Sequence, residues 1–235
     1  MTVDNRDRLI CALDFSTVEE AKALVNALGE TVVFYKIGLE LFSVSGLSLV
    51  NWLKERRKKV FMDLKFFDVE NTVKRAVARV AEAGADFLTV HGNETIIKAA
   101  VEGRGKADLK LLAVTVLTCL DAEDIKGMGF ACPVERLVLY RAGQAVTWGC
   151  DGVVASGHEA GKIKEATRGK LLVVTPGIRP GNKGHHEHKR AMTPEEAVAS
   201  GADYLVVGRP FREAENPAEM ASYLFNQISQ GLCRK

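Results

Sequence analysis

The chain alternates eight times between a short apolar run and a longer amphipathic segment, at intervals of roughly 25 residues. Most of the runs are apolar at consecutive positions, which is typical of parallel strands covered on both faces. Helical periodicity marks the segments between them, for example Val18–Leu28, Val69–Glu82 and Pro133–Trp148, and residues 121–130 predict a short extra helix. The predicted strands are Leu9–Leu13, Val32–Ile37, Val60–Leu64, Phe87–Val90, Leu111–Leu117, Gly152–Ala155, Leu171–Thr175 and Tyr204–Val207.

Eight βα units without a linker predict one α/β domain over residues 1–235, a single (β/α)8 TIM barrel. The alternative is an open doubly wound sheet, but no Gly-x-Gly-x-x-Gly follows the first strand and such sheets normally have fewer strands. Ser16 and Thr193 stand where N-caps are expected, ahead of acidic first turns. Glycines 84, 149 and 201 each stand two residues before an aspartate that directly precedes a predicted strand, as C-terminal helix glycines do.

The charge balance, the cysteines and the lengths of the apolar runs limit the partners and the location that the sequence predicts. The 32 basic and 30 acidic residues are spread along the chain and leave a net charge of +2, which favours neither a nucleic-acid partner nor an acidic surface. The densest basic cluster, residues 54–59, ends a helix and is interpreted as a solvated cap. Five cysteines without metal-type spacing predict free thiols and a cytoplasmic protein, and no apolar run is long enough to predict a membrane span.

Charged residues follow the predicted strands at the carboxyl end, where barrels of this kind carry their active sites. Asp63 and Lys65 are two apart on one strand, so in an extended chain both side chains point into the barrel mouth. Together with Lys36 and Asp68 they predict a network of alternating charge in which all four groups stay ionised. A lysine held beside a reacting carbon can stabilise a carbanion and then protonate it.

A second cluster follows strands seven and eight, the usual phosphate position in such barrels. Gly208 exposes backbone N–H groups there, and Arg179 and Arg209 add charge-assisted hydrogen bonds. The polar stretch 181–190 between them predicts a lid over a phosphorylated ligand. Its histidines, at positions 185, 186 and 188, are weak evidence for a metal because no carboxylate or thiol outside the loop joins them, and no metal site is predicted.

The run Asp63-Leu64-Lys65-Phe66-Phe67-Asp68-Val69-Glu70-Asn71-Thr72 resembles the signature of the orotidine 5′-phosphate decarboxylase family, bacterial type. The likeness extends from residues 9–14 through 35–38 to Gly208-Arg209-Pro210, and so covers nearly the whole chain. It implies a cofactor-independent enzyme that converts orotidine 5′-monophosphate to uridine 5′-monophosphate in pyrimidine synthesis. It also implies a homodimer with active sites shared across the interface and a nucleotide as the small-molecule partner.

The resemblance implies that Lys65 is the proton donor and that Lys36, Asp63 and Asp68 complete the charged network, Asp68 reaching into the partner subunit's site. It also assigns substrate contacts. Asp14 and Lys36 would hold the ribose, Thr72 would lie beside the neighbour's ligand, and Thr118 near ribose or base. Ser156 would read the pyrimidine amide edge, while Arg179, Gly208 and Arg209 would serve the phosphate.

Two positions depart from the family pattern. His188 stands where a glutamine usually bridges phosphate and base, and its shorter ring offers one donor when neutral. Val69-Glu70 replaces the common Ile-Pro, which leaves the chemistry unaffected.

Two other functions remain open on the residues alone. A metal-dependent sugar-phosphate lyase such as a hexulose-phosphate synthase would need an acidic pair for Mg²⁺, to which Glu40 could belong. A catalytically silent phosphate-ligand binder would have no need of a proton donor, and the intact Asp63, Lys65 and Asp68 argue against it.

Overall fold

The eight predicted strands form a closed, fully parallel barrel in the order β1 to β8, in a computed structural model that describes residues 3–181 and 192–234. The barrel closes where Leu9 pairs with Leu205. The (β/α)8 prediction is therefore confirmed. The strands are β1 (Leu9–Ala12), β2 (Phe34–Gly38), β3 (Lys59–Phe66), β4 (Phe87–His91), β5 (Lys110–Val114), β6 (Gly152–Val154), β7 (Leu172–Thr175) and β8 (Tyr204–Val207).

The described helices surround this barrel, and short ones occupy three of the loops. The N-cap of helix α1 is Thr17, whose hydroxyl accepts from the Glu20 N–H at 3.3 Å, so the N-cap predicted at Ser16 is wrong by one residue. Thr193 is an N-cap as predicted. The helices are α1 (Val18–Leu28), α2 (Leu39–Ser45), α3 (Ser48–Glu55), α4 (Glu70–Glu82), α5 (Glu94–Arg104), α6 (Ala122–Gly127), α7 (Val134–Thr147), α8 (Gly157–Ala166), α9 (Pro194–Ala199), α10 (Arg209–Arg212) and α11 (Pro217–Cys233).

The barrel interior is packed at its amino end and open at its carboxyl end. Phe34, Phe87 and Tyr204 each begin a strand, and Phe87 meets the other two edge to face at centroid distances of 4.9 and 5.0 Å. Smaller side chains such as Ala12 and Val206 lie nearer the carboxyl end. Because the large side chains lie at the amino end and small ones lie toward the carboxyl end, a cavity remains at the carboxyl end, where the loops carry the charged residues.

Three aspartates, partly or fully buried, hold the amino ends of β3, β5 and β7. Each follows one of the C-terminal glycines and accepts a hydrogen bond of 2.8 or 2.9 Å from the second residue of the strand before. Each also pairs with a cation from a neighbouring helix, which gives the carboxylate a charged partner. The pairs are Asp86 with Lys54, Asp151 with Arg104, and Asp203 with Lys164.

The basic cluster at residues 54–59 has a structural role that differs from the predicted solvated cap. Lys58 is 4 % exposed and donates to the Gly29 carbonyl and the Glu30 carboxylate. Lys59 pairs with Asp7. Because the Lys58 ammonium is buried and engaged within the chain, the solvated-cap interpretation is wrong for that residue.

Candidate active site

A cavity of about 480 Å³ opens at the carboxyl end of the barrel, with an apolar floor from the strands and charged walls from the loops. The predicted strand Leu111–Leu117 ends at Val114, because Val116 and Leu117 line this cavity and do not continue the sheet. Eight of the residues predicted for the site line it together: Asp14, Lys36, Asp63, Lys65, Thr118, Arg179, Gly208 and Arg209.

Asp63 is the centre of the charged network. Its Oδ1 accepts from Lys65 Nζ at 2.8 Å, and its Oδ2 lies 3.7 Å from Lys36 Nζ. Burial by itself raises the pKa of the Asp63 carboxyl, but the two ammonium groups and their hydrogen bonds outweigh it and hold that pKa below its ordinary value. The carboxylate therefore lies between two cations that favour its ionised form.

Lys36 is deeply buried and joins Asp63 to Asp14, whose Oδ1 it contacts at 2.9 Å. Burial alone lowers the pKa of Lys36, and the two carboxylates reverse that effect, so the pKa lies above its ordinary value. The ammonium therefore keeps its charge in a place that would otherwise favour the neutral amine. The four groups from Asp14 to Lys65 alternate in sign along one wall of the cavity.

Lys65 lies within β3, but its backbone is not extended there, so the extended-chain premise of the prediction is wrong at this residue. Its φ of 48° is left-handed, and the pairing of β3 with β4 shifts register between Met62 and Phe66. The lysine N–H donates to the hydroxyl of Thr89 on β4, at 2.9 Å. Lys65 Nζ nevertheless reaches Asp63, because the bulge turns the side chain toward the mouth of the barrel.

The phosphate-type cluster lies at the ends of β7 and β8. Arg179 is fixed through its backbone N–H, which donates to the Met192 carbonyl at 3.0 Å, after a left-handed Gly177. Arg209 begins α10. A Cβ at Gly208 would lie 3.3 Å from Asp14 Oδ2, so the absence of a side chain lets the two loops approach.

Asp68 and Thr72 do not line the cavity of their own chain. Asp68 is exposed, its Oδ1 accepts from the Val69 N–H at 2.7 Å, and it borders a separate groove between α4 and α5. Thr72 is half-buried within α4. Next to them, Phe67 and Val69 are 65 % and 69 % exposed, and Phe67 packs on the His91 ring.

Ser156 is likewise absent from the cavity lining. It is 1 % exposed and caps α8, where its hydroxyl accepts from the His158 N–H at 3.3 Å. Its position directly after β6 leaves it at the rim of the barrel. His188, together with His185 and His186, lies outside the described residues.

Three further residues contact the site or line it, of which the sequence analysis considered only Glu40, as a possible Mg²⁺ ligand. Thr89 donates its hydroxyl proton to Asp63 Oδ1 at 3.0 Å. Arg212 and Glu40 line the cavity, and Arg212 Nη1 donates to the Asp14 carbonyl at 2.7 Å. One available signal was a lone threonine inside the otherwise apolar run Phe87–Val90, since a buried hydroxyl requires a partner.

Within the parts of the chain that the structure covers, no cluster of three potential metal ligands occurs. The same residues contain no helix with the length and apolar character needed to cross a bilayer.

The comparison with known proteins agrees with this geometry. An orotidine 5′-phosphate decarboxylase of Nitrobacter winogradskyi is 51% identical over 227 residues, which cover 97% of this chain and 95% of that relative. One from Methylococcus capsulatus is 53% identical over 225 residues, 94% of this chain and 92% of that relative. The crystal structure of orotidine 5′-phosphate decarboxylase from Lactobacillus acidophilus superposes with a TM-score of 0.83 at 33% identity, covering 94% of this chain and 99% of that one.

The model of one family matches most of the chain, from residue 7 to residue 223. With half of the sequence shared with named relatives and the same barrel in a solved structure, this protein belongs to the orotidine 5′-phosphate decarboxylase / HUMPS family.

Proposed function

We propose that this enzyme decarboxylates orotidine 5′-monophosphate to uridine 5′-monophosphate for pyrimidine synthesis, and that Asp63 and Lys65 carry the reaction. One observation supports the assignment of these residues above all others. A largely buried carboxylate, that of Asp63, lies 2.8 Å from the Lys65 ammonium on the charged wall of the cavity. Relatives about half identical over nearly the full chain carry the name of this activity.

The chemistry requires a cation at the reacting carbon. When the C–C bond to the carboxylate breaks, carbon dioxide leaves and the electron pair stays on the ring carbon. The Lys65 ammonium stabilises that developing charge and then gives the carbon its proton. Asp63 holds the Lys65 ammonium in place, and its own charge disfavours the bound substrate carboxylate relative to departing carbon dioxide. The scheme uses no cofactor.

The phosphate, ribose and base of the substrate are assigned to the other residues of the cavity and its rim. Arg179, Arg209 and the backbone of Gly208 take the phosphate, and Asp14 with Lys36 takes the ribose hydroxyls. The proposed base contacts are Thr118, which lines the cavity, and Ser156 at the rim. Binding energy from the phosphate is then available for the reacting carbon, which lies at the other end of the ligand. A bridging role for His188 belongs to the same proposal.

We further propose that the protein is a homodimer in which Asp68 and Thr72 complete the site of the partner. Both residues lie outside the cavity of their own chain, and the exposed Phe67 and Val69 stand on either side of Asp68. An exposed apolar pair beside a charged loop is typical of a surface that another subunit covers. The cytoplasmic location is also part of the proposal, and it rests on the five cysteines, which are all free.

The assay that tests the reaction follows the pyrimidine absorbance of orotidine 5′-monophosphate with purified protein and excess EDTA. We expect full turnover in the chelator and stoichiometric uridine 5′-monophosphate. Turnover that EDTA abolishes and Mg²⁺ restores would indicate metal-dependent chemistry and contradict the proposal. No turnover of this substrate with or without Mg²⁺ would contradict it as well.

Replacing Arg209 with alanine is expected to weaken catalysis mainly for the phosphorylated substrate. A charge-assisted contact to a phosphate dianion that is lost altogether costs about 3 kcal/mol, or roughly a hundredfold in kcat/KM. Orotidine, which lacks the phosphate, serves as the internal control and should react at nearly the wild-type rate. Equal losses for both substrates would show that Arg209 supports the fold and does not bind the phosphate.

A further inference from the structure

Thr89 occupies a position that no assigned role explains. It lies in the middle of β4 with neighbouring apolar residues on either side in the strand, and its side chain is fully buried. Its hydroxyl nevertheless makes two hydrogen bonds with β3. It accepts from the backbone N–H of Lys65 at 2.9 Å and donates to Asp63 Oδ1 at 3.0 Å.

The first hydrogen bond, from the Lys65 N–H to the Thr89 hydroxyl, is made by a backbone in a left-handed conformation. Lys65 has a φ of 48°, and a side chain other than glycine in this region carries a steric cost. The register shift between Met62 and Phe66 removes the regular β3–β4 ladder at this point. The Thr89 hydroxyl on β4 takes the place of a main-chain carbonyl as the acceptor for the Lys65 N–H. The backbone donor at the bulge therefore keeps a hydrogen-bond partner.

The second hydrogen bond runs from the Thr89 hydroxyl to Asp63, the carboxylate that pairs with Lys65 Nζ. Asp63 Oδ1 receives two donors, Lys65 Nζ and the Thr89 hydroxyl, so its orientation is set from both β3 and β4. The remaining oxygen faces Lys36 from β2. One hydroxyl therefore contacts both members of the reacting pair, the lysine at its backbone and the aspartate at its carboxylate.

We propose that Thr89 is a positioning residue for decarboxylation, which holds the left-handed bulge at Lys65 and the carboxylate of Asp63 in one arrangement. This inference rests on the proposed roles of Asp63 and Lys65. Thr89 acts through them and does not line the substrate cavity. Its loss should therefore reduce the rate of the chemical step more than the binding of the nucleotide.

A hydroxyl that donates to a carboxylate also stabilises its ionised form. The groups that face Asp63 are Lys36 from β2, Lys65 from its own strand and Thr89 from β4, and Asp14 from β1 acts through Lys36. Burial raises the pKa of Asp63, whereas the two lysines and the hydrogen bonds from Lys65 and Thr89 lower it. Without the hydroxyl, the pKa of Asp63 should rise, and the acid limb of the kcat profile should move to higher pH.

The test compares Thr89→Val with Thr89→Ser. Valine keeps the branched shape and removes both hydrogen bonds, so we expect kcat to fall about a hundredfold, the usual effect of misplacing a reacting group by about 1 Å. The Kd of uridine 5′-monophosphate should stay close to wild type. Serine keeps the hydroxyl and should recover most of kcat and the wild-type acid limb.

Thr115 provides a matched control. It too is a fully buried threonine, placed directly after β5, and it donates its hydroxyl to the Val154 carbonyl at 2.9 Å and not to Asp63 or Lys65. Thr115→Val should cost similar stability in urea unfolding but leave the pH profile unchanged. If Thr89→Val does not fold, Thr89→Ala is measured in its place against Thr115→Ala.

A kcat for Thr89→Val equal to that of Thr115→Val, with an unmoved acid limb, would overturn the inference. So would a loss that serine does not recover. Lys65→Ala is assayed in parallel to separate two kinds of failure. If Lys65→Ala retains turnover, the proposed reaction roles are wrong. If only the Thr89 variants retain it, those roles stand and the positioning role is wrong.

Discussion

Lys65→Ala is expected to remain folded and to lose turnover by more than the roughly 10² to 10³ that removal of one oxyanion-hole donor costs. The alanine variant lacks both the cation that stabilises the carbanion and the proton that the product needs. Asp63 would keep only Lys36 as a cationic partner, at 3.7 Å. The measurement is kcat with orotidine 5′-monophosphate, together with a urea unfolding curve that shows an intact fold.

Lys162 is a suitable control for this substitution. It is a lysine on α8 that pairs with Glu135 at the surface, and its side chain is about half exposed. Lys162→Ala removes the same groups far from the cavity and should keep wild-type turnover, since exposed ion pairs contribute little to stability. Turnover near wild type in Lys65→Ala would contradict the mechanism, because no other ammonium in the described cavity is paired to Asp63 at hydrogen-bond distance.

Lys65→Ala and Asp68→Ala are expected to restore activity when they are refolded together. Each homodimer should be nearly inactive on its own. In an isologous mixed dimer one site combines both defects, and the other receives an intact Lys65 from one chain and an intact Asp68 from its mate. Random mixing makes about half of the dimers mixed, each with one good site of two, so roughly a quarter of wild-type activity should return.

The control for that experiment is wild-type protein that has been unfolded and refolded in the same way. Exchange of subunits is verified independently, for example with chains that differ in mass. No recovery despite demonstrated exchange would show that Asp68 serves the site of its own chain. Recovery would also fit the position of Asp68, which borders a groove of its own outside the cavity.

Much of the architecture was predictable because it follows from local patterns. Consecutive apolar residues and intervening amphipathic segments predicted all eight strands, and Val18–Leu28 and Tyr204–Val207 agree with the structure to the residue. The predicted end of β5 at Leu117 was three residues too late. Val116 and Leu117 are apolar because they line the cavity and not because they continue the strand. A single domain over residues 1–235 stays a prediction.

The sequence predicted which residues belong to the candidate site better than it predicted how they are arranged. Charged residues after buried strands identified Asp14, Lys36, Asp63, Lys65 and Arg209, since a charge in that place needs a partner or a function. The structure brings these five together around one cavity. The roles of Ser156 and Thr72 came from the resemblance, and both lie away from the cavity wall in a single chain.

The sequence by itself determined the barrel and the set of charges at its carboxyl end, because strand periodicity and the order of residues along the chain are local properties. Only the tertiary structure decided how Lys65 is held. Its left-handed backbone is stabilised by a hydroxyl 24 residues further on, and Asp63 is oriented by the same group. No pattern within β3 specifies that arrangement, since the hydrogen bonds that stabilise it exist only when β4 lies alongside.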